Sequence, residues 1–292
     1  MTGGIILLDK PQGMTSFDAD KIVRRTTGIK KVGHSGTLDP FATGLLPVFT
    51  GDALKFMRYT DGYDKKYVCR AVFGATSDTG DETGEITPVK KCGIGDIGKV
   101  TEALKEIASR ELQTPPKYSA KKINGRKAYE LAREGVEFEL KPNRIKVYSL
   151  EITKTEEAGD MLAVEFEVHC SKGTYIRTIC TDAGELSGFG AYAEELRRTM
   201  AGPFDIKDSV LPDAITEDSF IDPMLTLSGM PSVELDENMA RLISNGVKVQ
   251  ASRIKGFDAG TGALCCAKSG CRLIAVIYKD DKNIIRVDRG FA

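Results

Sequence analysis

Two stretches, residues 143–154 and 161–170, alternate apolar and polar side chains. In the second, Phe166, Val168 and Cys170 share one parity and Glu165, Glu167 and His169 the other. A period of two is that of a strand with one face buried, and two such segments in succession predict paired strands. Short β-rich runs at 4–8, 45–49 and 65–73 supply further strands. Helical spacing occurs at 94–107 (Val100, Leu104, Ile107), at 175–186, and in a stretch that Ser16 can cap and Gly28 can stop; residues 53–59 are a further helix candidate. Strands and helices do not alternate regularly, so the order predicts α+β, with a mainly antiparallel sheet. Residues 31–44, with three glycines and a proline, predict a long loop, and 77–85, rich in Asp, Thr and Gly without an apolar face, predict an exposed one. An acidic stretch from Asp205, holding Pro212 and Pro223, predicts a linker. Beyond it a helix at 236–244 and a hairpin with strands 273–278 and 284–287 predict a small β-rich module.

The chain of 292 residues carries a net charge of −1, unevenly spread. Residues 117–146 hold nine basic and four acidic side chains, net +5, and residues 205–237 hold one basic and nine acidic, net −8. A local basic segment is what phosphate binding requires, although a solvated charged surface has the same composition. No window nears the roughly 20 apolar residues of a membrane helix. The start, Met1-Thr-Gly-Gly before Ile5, lacks a signal peptide's basic and long apolar parts, so a cytoplasmic protein is expected. Seven cysteines, an odd number without disulfide spacing, agree. Cys265, Cys266 and Cys271 cluster without a nearby His, and ordinary thiols are expected there rather than zinc ligands. No Walker loop or dinucleotide fingerprint occurs, and no metal or other cofactor is expected.

The segment richest in chemistry is Gly33-His-Ser-Gly-Thr-Leu-Asp-Pro40, continued by Ala42-Thr-Gly-Leu-Leu-Pro47. A carboxylate in a glycine-rich loop, with proline behind it, sits where a substrate can approach closely. Alone, such a loop reads more readily as a turn whose Asp39 merely caps backbone amides. The full string, G-H-x-G-x-L-D-P-x-A-x-G-L-L-P, resembles the catalytic loop of the TruB family of pseudouridine synthases. Further segments resemble that family in the same order. These are the opening Asp9-Lys-Pro-Gln-Gly13, Asp64-Lys-Lys-Tyr67, the run Pro115-Pro-Lys-Tyr-Ser-Ala-Lys-Lys-Ile-Asn-Gly-Arg-Lys-Ala-Tyr129, Ser171-Lys-Gly-Thr-Tyr-Ile-Arg177 and Leu196-Arg-Arg198. The resemblance covers about residues 4–204.

It implies a pseudouridine synthase catalytic domain over 1–204, with an RNA-gripping insertion at about 113–146. The 205–230 stretch is then the linker, and 231–292 a PUA-like RNA-binding domain. It also implies an activity: isomerisation of uridine 55 in the T-arm of tRNA, with Asp39 as the catalytic carboxylate, Arg177 its cationic partner and Tyr67 against the target base. His34 would fill the space left by a flipped nucleotide. Leu196 and Tyr175 would line the substrate site, and Lys66, Lys121, Lys122 and Arg126 would meet RNA. His169, in an alternating strand, carries no expected role. The insertion implies a stand-alone enzyme, since guide-RNA-dependent relatives shorten it; a monomer needing no guide RNA, protein partner or membrane is expected.

The chemistry agrees with these residue types. Breaking the bond from ribose C1′ to uracil N1 builds positive charge on the sugar, which an ionised carboxylate can stabilise or trap. Uracil leaves as a delocalised anion and needs no strong general acid. An arginine keeps its charge and can bind the carboxylate through two donors. Two other classes stay open from the residues alone: an RNA nucleosidase, which would release free uracil, and a non-catalytic RNA-binding protein, in which Asp39 would be dispensable.

Overall fold

The alternation at 161–170 is carried into a sheet whose one face packs on helices. The computed structural model describes residues 3–119, 121–123 and 125–291, and the chain divides into two compact units, 1–222 and 223–292. The first is built on β1 (Ile5–Lys10), β2 (Val32–His34), β3 (Thr43–Thr50), β4 (Lys65–Phe73), β5 (Val147–Ala158), β6 (Met161–Cys170) and β7 (Ala191–Ala201). They form a nine-stranded sheet in the order β5-β6-β4-β7-β3-β1, extended by Phe220–Ile221 beside β1, with β2 also on β3 and Phe204–Asp205 also on β7. Every pairing is antiparallel except β3 with β7.

Helices α1 (Ser16–Thr27), α2 (Ile97–Ser109) and α4 (Ile176–Ser187) supply the apolar cover, with α3 (Ala128–Arg133) in the insertion between α2 and α4. Ala19 and Val23, then Val100, Leu104 and Ile107, then Ile179, Cys180 and Ala183 join Tyr67, Cys69, Ala71, Phe73, Phe166 and Val168 in one buried cluster. The odd positions of β4 therefore face the helices, as strand alternation requires. Each large side chain buried there contributes on the order of 1.5–3 kcal/mol.

The register aligns three strands at one point. Tyr67 lies opposite Val168 on one side and Arg198 on the other, and Arg198 lies opposite Gly44 of β3. Gly44 has φ +99°, and a Cβ there would stand 2.3 Å from the Arg198 carbonyl oxygen, so the parallel crossing demands glycine.

Several boundaries differ from expectation. Thr15, not Ser16, caps α1, accepting from the Asp18 amide at 3.1 Å. Residues 51–60 form two short 3-10 turns rather than a helix. The 31–44 loop includes strand β2. The acidic stretch is not a free linker as far as Asp222. Val210 exchanges backbone hydrogen bonds with β1, at 2.9 Å to both Leu7 and Asp9. Ile215 is buried and Phe220 packs on the core. Its charges face solvent while its few apolar residues close the edge beside β1.

The second unit has its own five-stranded sheet, ordered Ser232–Glu234, Cys265–Ser269, Arg272–Lys279, Ile284–Gly290, Val249–Gln250. Helix α5 (Glu237–Ser244) is capped by Asp236, which accepts from the Met239 amide at 2.7 Å, and a separate core includes Val233, Ile243, Ile274 and Ile277. The predicted helix and hairpin are both present.

Candidate active site

Asp39 lies within the loop between β2 and β3, and Arg177 occupies the first turn of α4. Their side chains meet with Nη2 to Oδ2 at 2.9 Å. Arg177 is 3% exposed and Asp39 37%, so the arginine is interior while the carboxylate opens onto a cavity. That cavity, about 280 Å³, is lined by Leu38, Asp39, Lys65, Tyr67, Ser119, Tyr175, Arg177, Leu196 and Arg198 among others. Asp39, Tyr67, Tyr175, Arg177 and Leu196, from four separate motifs, thus line one cavity. The run Pro115–Tyr129 enters too, through Ser119; its Ala120 and Asn124 lie outside the described residues.

Arg177 is held from three further directions. Nη1 donates to the Thr79 carbonyl at 2.8 Å and pairs with Asp81 at 3.2 Å; Nη2 donates to the Tyr118 carbonyl at 2.8 Å. Asp81 is buried, and its Oδ1 accepts from the Thr79 hydroxyl at 2.8 Å, the Thr83 hydroxyl at 2.6 Å and the Thr83 amide at 3.1 Å. The 77–85 segment, expected to be an exposed loop, therefore delivers a buried counter-ion to the pocket. A guanidinium fixed by this many partners cannot swing away from Asp39.

Desolvation by the pocket walls pushes the Asp39 carboxyl above its ordinary value of 3.8; the Arg177 charge opposes this, and Asp81 adds to it. Lys10, fully buried, donates to the carbonyls of Pro11 at 2.9 Å and Met14 at 2.7 Å. Burial lowers its pKa to about 8, while Asp39 acts to raise it. Burial raises the pKa of Tyr67 above 10, keeping it a phenol, with the Arg198 charge opposing. Tyr67 therefore offers the pocket a flat ring and a protonated hydroxyl.

Tyr175 stands just ahead of α4, and Gln113 clamps it, donating to its carbonyl at 3.0 Å and accepting from its amide at 2.8 Å. Arg198 is 1% exposed and donates from Nε to the Leu45 carbonyl at 2.7 Å. Gly36 keeps φ +69°, and a Cβ there would come within 3.0 Å of the Arg198 Nη1. Asp81, Gln113, Lys65 and Arg198 are the site residues that reading by motif did not single out.

Lys66 is not part of the pocket. It is exposed on the opposite face of β4 from Tyr67, and Lys65, in phase with the tyrosine, takes the lining position. Lys122 and Arg126 lie on a hairpin of two short strands, Lys122–Ile123 and Arg126–Lys127, both exposed. Arg126 pairs with Glu134, and Lys121 donates to the Lys141 carbonyl at 3.0 Å and Asn143 at 2.7 Å. His34, at the end of β2, faces Asp20 and Thr37.

Compared with known families, residues 24–176 match the TruB family pseudouridylate synthase N-terminal domain. The chain belongs to the TruB family. Residues 177–224 continue the match with the tRNA pseudouridylate synthase B C-terminal domain. The tRNA pseudouridine synthase B of Clostridium tetani is 39% identical over 255 residues, covering 86% of this chain and 87% of that protein. That of Syntrophotalea carbinolica is 38% identical over 285 residues, covering 93% and 91%. Among solved structures, the crystal structure of a Cbf5-Nop10-Gar1 complex superposes with a TM-score of 0.73 at 24% identity, covering 99% of this chain and 85% of that one. A second, an H/ACA RNP bound to a substrate RNA containing 2'-deoxyuridine, gives a TM-score of 0.71 at 23% identity. At those identities the likeness is one of fold, and the fold is that of the pseudouridine synthases, mixed α and β with a β-rich C-terminal unit.

Proposed function

We propose that this TruB-family pseudouridine synthase isomerises uridine 55 in the T-arm of tRNA, with Asp39 as its reacting carboxylate. One observation carries the reading: the Asp39 carboxylate sits at a nucleoside-sized cavity, 2.9 Å from a guanidinium that burial and three further partners hold in place. Cleavage of the C1′–N1 bond leaves the electron pair on uracil and positive charge on the sugar, which the ionised Asp39 stabilises or captures. The uracil turns within walls formed by Tyr67 and Leu196. The bond from C1′ to C5 then forms, C5 loses its proton, and N1 gains one, so the product is an isomer of the substrate. Every atom is conserved, and no electron donor or acceptor takes part.

A uridine in a folded RNA loop must leave its stack to reach such a cavity, and His34, where β2 leads into the Asp39 loop, takes its room. Exposed Lys122 and Arg126 supply phosphate contacts, and the second unit, read as PUA-like, adds RNA affinity. On this reading the chain works alone, as a monomer without guide RNA, in the cytoplasm; no helix among the described residues is long and apolar enough to cross a membrane.

The test is incubation of the pure protein with an unmodified tRNA transcript, followed by chemical mapping of pseudouridine. Modification at position 55 without additives is the expected result. Free uracil would make the protein a nucleosidase, and tight binding without pseudouridine would make it an RNA-binding module.

A further inference from the structure

Helix α1 carries two polar residues on its buried face, Ser16 and Asp20, one turn apart. Each reaches across to the loop that bears Asp39. The Ser16 hydroxyl donates to the Leu38 carbonyl at 3.0 Å and accepts from the Leu38 amide at 2.9 Å. Asp20 meets the other end of the loop, its Oδ2 standing 2.9 Å from Nδ1 of His34. The imidazole Nε2 lies 3.2 Å from the Thr37 hydroxyl. Asp20 is 4% exposed, and its Oδ1 is buried without a hydrogen-bond partner among the described residues. Burying a carboxylate with one oxygen unpaired opposes folding, and leucine or valine would fill such a helix position without that cost. The buried, half-paired carboxylate therefore points to a task at the histidine.

We propose that Asp20 is a positioning residue for nucleotide flipping, acting through His34. A carboxylate oxygen can only accept, so Nδ1 of His34 must carry a proton. Nε2 is thereby left in the neutral ring as the acceptor, facing Thr37 and the loop surface. The ring is fixed in plane and in tautomer before RNA arrives. A histidine so held enters the space of the departing uridine with its polar edge already directed. This rests on the reading of His34 given above, and goes beyond it by naming what orients the ring.

The test uses the full chain with Asp20→Leu and the nearly isosteric Asp20→Asn. Ring nitrogen NMR reads the tautomer without RNA, and the chain's two histidines are told apart with His169→Gln. The wild type is expected to show Nδ1–H, Asp20→Leu a mixture dominated by Nε2–H, and Asp20→Asn an intermediate. Flipping is followed by 2-aminopurine placed beside the target uridine in a T-arm stem-loop. Asp20→Leu should slow it about ten-fold, the factor that one charge-assisted hydrogen bond carries. In a His34→Ala background, Asp20→Leu should add nothing. An unchanged tautomer in both Asp20 variants would overturn the orienting role. A full further ten-fold loss in the His34→Ala background would overturn action through His34, and normal flipping by His34→Ala alone would overturn the reading of His34 itself.

Discussion

The pocket and the insertion hairpin are both rich in cationic side chains, and they use them in opposite ways. Arg177 is buried, bound to two carboxylates and two carbonyls, and has no freedom to follow a ligand. Lys122 on the hairpin is exposed, and an exposed ammonium keeps its hydration and its rotamers. In a low-dielectric wall a fixed charge is worth most at the atom it faces; on a surface a mobile charge is worth most to whatever polyanion drifts by. On the proposed function, the first kind shapes a transition state and the second gathers substrate.

That contrast breaks if the two kinds of substitution give the same signature. Asp39→Asn should have the largest effect. The amide is nearly the same shape, so folding and tRNA affinity should persist while pseudouridine formation, followed by chemical mapping, falls to background. Arg177→Lys keeps the charge but loses the planar fork, and single-turnover rates should drop by about 10²-fold or more. Because the pair works as a unit, the double variant should be scarcely slower than Asp39→Asn alone.

Asp81→Asn sharpens the comparison further, since it loosens the arginine without touching substrate. A loss of about ten-fold is expected, from one weakened charge-assisted hydrogen bond. Its pH profile is more telling. On the proposed mechanism only the ionised Asp39 reacts, so the wild-type rate should rise with pH through a pKa above 3.8. Asp81 is one cause of that elevation, and removing its charge should move the acid limb to lower pH. An unmoved limb would mean the two carboxylates do not sense each other. Least affected, at saturating RNA, should be the variant neutralising Lys121, Lys122, Arg126 and Lys127. Its chemistry should stay near normal while the salt dependence of binding flattens by about 0.9 for each phosphate that is no longer neutralised. A normal slope would return the hairpin to an ordinary solvated surface.

Much of this is legible in the sequence. Alternation over 161–170 and the β-rich run at 65–73 place two adjacent strands, and the loop that holds Asp39 stands out through the length of its glycine, proline and carboxylate pattern. Asp81 is hidden for a physical reason: its partner Arg177 lies 96 positions away, and a run of Asp, Thr and Gly looks solvated until that partner is found. Lys65 is legible in principle, because a pocket-facing Tyr67 obliges its neighbour two residues back to face the same way, and Lys66 the other. The acidic stretch misleads through composition. Its many charges read as a tether, whereas Val210, Ile215 and Phe220 are enough to seat it against the sheet edge.

The insertion begins and ends on one antiparallel rung, Gln113 opposite Asn143 and Leu112 opposite Arg144. A segment whose two ends already touch can change length at small entropic cost, about 0.6 kcal/mol per doubling. The segment is thereby exchangeable, like a tool head on a fixed shank, and grafted substitutes should be tolerated by the scaffold. One short tether limits the exchange. Tyr118 gives its carbonyl to Arg177 and Ser119 lines the cavity, so a transplanted segment must bring those two positions with it or arrive with a slackened arginine.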